Sequence, residues 1–234
     1  WNSESSHMEE ELKQIAEDGF NSIILVVPWR EFQPSMNPQR YNDYAWKKFD
    51  RVMEAAQRQN LKVMLRVGYT WDYYSSDNVL ERYEKLLYDD GTKRAWIQYA
   101  KRLYERAAVH ENFCGGFITW EDFWNFAENS VFYGSGLAGR KMASKCGYTQ
   151  YVKEHYTLEE LEEMYQDTFK TYEDVYLPDS LNTYSRKVFY QFYDDFLNKI
   201  LAETQAVFPD LSMEVRLDID PVKRPDGYTG RSVP

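Results

Sequence analysis

The stretch FNSIILVVPW, residues 20–29, decides the fold. Ile23, Ile24, Leu25, Val26 and Val27 follow one another with no polar break. A strand apolar on both sides belongs in a parallel sheet whose faces are covered. Upstream, HMEEELKQIAED (7–18) sets Met8, Leu12, Ile15 and Ala16 on one helical face. Gly19 stands where a helix C-terminus commonly falls. Downstream, Trp46, Phe49, Val52, Met53 and Ala56 give helical spacing over 43–59, and LKVMLRVGYTW (61–71) reads as a second strand. A helix over 93–109 carries Trp96, Ala100, Leu103 and Ala107 on one face, and NFCGGFITWEDF (112–123) is a third strand. Residues 125–157, which include GSGLAGRK, read as an irregular excursion. Helices are expected over 158–171 and 183–207, with Pro178 interrupting between them. LSMEVRLDID (211–220) is expected as a fourth strand, and PDGYTGRSVP (225–234) as a loop.

Strand alternating with helix predicts right-handed βαβ units and a parallel sheet, in the α/β class. An open nucleotide-binding sheet would show a glycine-rich turn after its first strand. Here the strand ends read PWREFQP, GYTWDYY, WEDFWNF and DIDPV. Aromatics and acids at every end fit the carboxyl face of a (β/α)8 TIM barrel, where substrate loops converge. Residues 1–234 are therefore expected to form one incomplete barrel domain, with a helical excursion at about 125–207. The opening WNSESSHMEEE enters almost directly into a helix, and the chain is read as part of a longer one.

Composition narrows the function. The net charge is −10, from 38 acidic and 28 basic residues, which disfavours nucleic acid and anionic membrane as partners. No apolar stretch reaches the roughly 18 residues that span a bilayer. Two cysteines, Cys114 and Cys146, and three scattered histidines give neither a disulfide framework nor a zinc motif. No cofactor or metal is called for. Compartment and oligomeric state are left open. Aromatic residues make up 17% of the chain, with 7 Trp, 20 Tyr and 13 Phe. Rings with polar tips suit ligands that have one apolar side and a hydroxylated rim, and they equally suit a Tyr-rich core.

The candidate chemistry sits at the strand ends. In FITWEDFW (117–124), an apolar run ends in Glu121 and Asp122 among Trp120, Phe123 and Trp124. Glycoside hydrolysis uses paired carboxyl groups, one of which protonates the leaving oxygen. Large neighbouring rings would desolvate Glu121 and favour its protonated form, as a general acid needs. The plainer alternative is that Glu121 or Asp122 caps a turn or pairs with a base such as Arg66. Trp29 and Arg30 end the first strand of this chain, and Trp71 and Asp72 end the next. Trp side chains there suit stacking on a sugar ring or closing the core, and Arg30 suits a substrate hydroxyl or a carboxylate such as Glu31. Arg216, Asp218 and Asp220 alternate on the expected last strand and read as an inward ion network, with Asp220 nearest the mouth.

Taken in order, GFNSIILVVPW, NLKVMLRVG, GGFITWED and PDLSMEVRLD resemble the retaining glycoside hydrolases of clan A, which include family 5 cellulases and family 42 β-galactosidases. YVKEHYTLEELEEMYQDTFKTYEDVYLP and FYQFYDDFLNKIL are similar to the segments that follow the fourth strand in β-galactosidase-like members. The resemblance implies that this chain holds barrel strands two to five. It makes Glu121 the acid/base at the end of the fourth strand and puts the nucleophile on a seventh strand beyond Pro234. It also implies an oligo- or polysaccharide substrate with β linkages. Trp120 stands where the family has Asn, and Asn125, beside Trp124, is the candidate to supply that amide. Trp120 also keeps open a non-catalytic carbohydrate-binding barrel. A metal-dependent barrel isomerase or lyase is disfavoured, because no cluster of His, Asp and Glu ligands marks the strand ends.

Overall fold

A computed structural model describes residues 7–68, 85–86, 88–118, 133–178, 184–213, 220–224 and 227–231. In chain order, helix α1 (Met8–Glu17) leads into strand β1 (Ser22–Val27). A short helix α2 (Trp29–Phe32) and a small hairpin, β2 (Ser35–Met36) with β3 (Gln39–Arg40), precede α3 (Asp43–Arg58) and β4 (Lys62–Val67). Helix α4 (Asp90–Ala107) and strand β5 (Phe113–Ile118) follow. Then come α5 (Leu137–Lys145), α6 (Tyr148–His155), α7 (Leu158–Tyr165), a 3-10 turn (Tyr172–Asp174) and α8 (Ser185–Gln205). The last elements are β6 (Leu211–Met213), β7 (Asp220–Arg224) and β8 (Gly227–Arg231).

Strands β1, β4, β5 and β6 form one sheet in that order, and every pairing within it is parallel. Helices separate successive strands, so the architecture is α/β and matches part of a (β/α)8 barrel. The helix starts follow local chemistry. Asn42 caps α3 by accepting from the Ala45 N–H at 3.3 Å. Asp89 caps α4 by accepting from the Thr92 N–H and hydroxyl, each at 2.6 Å. Those two bonds hold the Asp89 carboxyl below its ordinary range.

The helices cover one face of the sheet. Val63, Leu65 and Val67 of β4 are fully buried in the helix-facing core with Val27, Ile118 and Leu211. An aromatic layer closes that core beneath the end of β1. Trp29 meets Trp96 edge-on at 5.3 Å, Phe32 meets Trp46 edge-on at 4.8 Å, and Trp96 lies 5.8 Å from Tyr99. Each such pair contributes about 0.5–1.5 kcal/mol beyond its buried area. Directional bonds tie the layers together. The Tyr99 hydroxyl donates to the Val27 carbonyl at 2.7 Å, and the Trp96 indole N–H donates to the Thr204 hydroxyl at 2.7 Å. Arg106 on α4 grips Asp50 on α3 through two guanidinium nitrogens.

Glycine sets the course of β5. Val63 pairs with Phe113 but Leu65 pairs with Gly116, so β5 holds one extra residue in a bulge. Gly115 takes φ +102 there, and a Cβ on it would lie 2.8 Å from the Asp210 carbonyl oxygen. Gly115→Ala is therefore expected to lower stability by about 1–3 kcal/mol, the range for one backbone held where L side chains are strained. A denaturant midpoint equal to the parent's would refute that.

Several expectations are corrected. Strand β1 is not covered on both sides: Ile24 is 61% exposed, because the described helices pack against the Val27 side. The segment 125–157 is not irregular where it is described, since α5 and α6 occupy much of it. The helix expected over 158–171 stops at Tyr165, where Gln166 adopts φ 54. A capping box between Thr157 and Glu160 fixes its start. The strand expected over 211–220 is seen only as Leu211–Met213, with 214–219 outside the described residues. Within the expected terminal loop, 227–231 form strand β8, which pairs antiparallel with β7 and sets Asp220 opposite Arg231.

Tyrosine accounts for much of the packing in the helical segment. The Tyr148 and Tyr165 hydroxyls meet at 2.8 Å, and Tyr165 donates to the Tyr176 carbonyl at 2.8 Å. Tyr148 packs edge-on against Phe189 and Phe192 of α8. On the same helix, burial and the adjacent Asp195 push the Asp194 carboxyl above its ordinary range. A raised acid stabilises the fold while protonated and loses that contribution as pH rises through its folded value. Asp194→Asn is expected to raise Tm at neutral pH, with the gain shrinking as pH falls through the raised folded value and gone below the ordinary carboxylate range. An equal change in Tm at both pH values would count against it.

Candidate functional site

The four parallel strands end level with one another. Val27 pairs with Val67, Val67 with Ile118, and Ile118 with Met213. Their carboxyl ends thus make one rim, the place where substrate loops meet in barrels. One residue below the rim, the register aligns Val26, Arg66, Phe117 and Ser212 in a row across the sheet. Side chains alternate along a strand, so this row lies on the face opposite the buried Val67 and Ile118. Ile24 and Met64 form the row beneath; Met64 is 37% exposed. The open face is apolar in the middle, with Arg66 near the rim. At its far end Lys62 donates to the Glu111 carbonyl at 3.2 Å.

This row was missed as a site feature in the sequence, where Arg66 figured only as a partner for nearby acids. The signal was present as the two-residue alternation of Lys62, Met64 and Arg66 through KVMLRV.

The candidate residues fare unequally. Trp29 starts α2 rather than ending a strand, and it is 1% exposed. Trp96 stands edge-on to it, Tyr99 stacks at 6.1 Å, and its indole N–H donates to Gln33 Oε1 at 2.6 Å. Neither ring face is open to a sugar, so Trp29 is a packing residue. The physical reason is the helical turn after Pro28, which swings the indole under the rim into the helix layer. Arg30, the next residue, is exposed. Trp71 and Asp72 lie outside the described residues, as do Trp120, Glu121, Trp124 and Asn125. Asp220 opens the β7 hairpin strand and does not continue β6 as a barrel strand. Arg216 and Asp218 are outside the described residues.

The aromatic excess divides in the same way. Trp29, Trp46 and Trp96 are core residues, and Tyr99 and Tyr148 are fully enclosed, with burial raising both phenols well above their ordinary range. Among the described residues no group of three His, Cys, Asp or Glu side chains is placed to hold a metal ion. No helix among them is long and apolar enough to cross a membrane.

No family model matches the chain, and no curated protein matches it. Solved structures do. A β-galactosidase from Rahnella sp. R3 superposes with a TM-score of 0.55 at 13% identity, over 88% of this chain and 32% of that one. Looser overlaps include the β-glycosidase BGL167, at a TM-score of 0.46 and 15% identity over 89% of this chain and 44% of that one. Another is the exo-β-1,4-mannosidase Op5Man5 from Opitutaceae bacterium strain TAV5, at 0.43 and 15% identity over 62% and 26%. The chain spans less than half the length of each of these structures. With its parallel sheet, level rim and alternating helices, the chain has the fold of part of a (β/α)8 barrel.

Proposed function

We propose that this chain is part of a retaining glycoside hydrolase acting on β-linked saccharides, with Glu121 as its acid/base. The observation that carries the reading is the position of FITWED: Ile118 is the last described residue of β5 at the common rim, and Glu121 is three residues further on. A carboxyl there, crowded by the rings that adjoin it in sequence, is kept protonated until it transfers its proton to the departing glycosidic oxygen.

The second carboxylate is assigned to another strand of the barrel, outside these 234 residues. In a retaining site it stands about 5–5.5 Å from the acid and attacks the anomeric carbon to form a glycosyl-enzyme. Glu121, then deprotonated, takes a proton from the incoming water. The residues of this chain by themselves hold half of that pair and are expected to give no turnover. Arg30, Trp71, Asp72, Trp120, Trp124 and Asn125 are proposed to bind the saccharide, with the Trp rings as stacking faces.

A second reading, a carbohydrate-binding barrel without turnover, is favoured by Trp120 in place of the family's Asn. The polypeptide carrying all eight strands separates the two. A hydrolase turns over aryl β-glycosides and depends on Glu121. A binding protein shows saccharide affinity without turnover and is indifferent to that residue.

A further inference from the structure

We draw no further inference here: the strongest candidate, the open face of the four-stranded sheet that carries Ile24 and Met64 with Arg66 near its rim, has nothing in the structure to show what covers it.

Discussion

Glu121→Gln, in the polypeptide with the complete barrel, is expected to lower kcat/KM on β-glycosides by about 10²–10⁴-fold, the usual worth of a positioned general acid. Gln matches the shape of Glu but has no carboxyl proton to give. The loss should grow as the leaving alcohol becomes more basic, because a poor leaving group depends most on protonation. With an activated aryl glycoside, formation of the glycosyl-enzyme tolerates the change, and its hydrolysis becomes slow for want of a base. A small anionic nucleophile such as azide needs no base and should restore turnover. Unchanged kinetics in the variant would remove Glu121 from the chemistry. A parent protein that binds saccharide and never hydrolyses it would favour the binding reading instead.

Trp96→Ala is expected to cost about 3–5 kcal/mol, as large-to-small changes at buried Trp do. That is a large share of the roughly 5–15 kcal/mol that stabilises an ordinary domain. Trp96 is 2% exposed and touches Trp29 and Tyr99, so its removal opens a cavity beneath the end of β1. It also links α4 to α8 through Thr204, whose hydroxyl donates onward to the Ile200 carbonyl at 2.7 Å. Thr204 keeps that second bond in the variant, so the cavity supplies most of the loss. Trp96→Phe retains most of the ring packing and forfeits the indole hydrogen bond, for about 1 kcal/mol. Chemical denaturation followed by circular dichroism measures both. Equal midpoints for Trp96→Ala and the parent would show that the aromatic layer does not hold the fold.

The parallel sheet was legible because its signal is local and repeated. Burying one side of β1, β4 and β5 demands apolar residues at short range, and helices of matching period stand between them. The core faces of α3 and α4 were legible for the same reason: Trp46, Phe49, Met53, Trp96 and Leu103 recur at helical spacing and are buried. The small β2–β3 hairpin was not, because two-residue strands carry no period. Nor were α5 and α6 as separate helices. Gly147 adopts φ 89 between them, and that left-handed turn reads from the sequence as one more break in a glycine-containing stretch.

What residue pattern decided here is the class of fold, since hydrophobic period and helix caps act over a few neighbours. It also marked where strands end, because apolar runs stop there. Tertiary packing decided what each aromatic is for. Trp29 and Trp71 look alike as ring residues just past a strand, yet the turn after Pro28 drives Trp29 into the helix layer among Trp96 and Tyr99. Packing likewise set Arg66 beside Val26 and Phe117 in one row, since register joins residues far apart in the chain. A side chain's neighbours across a sheet depend on strand order and stagger, and neither is written in any single segment.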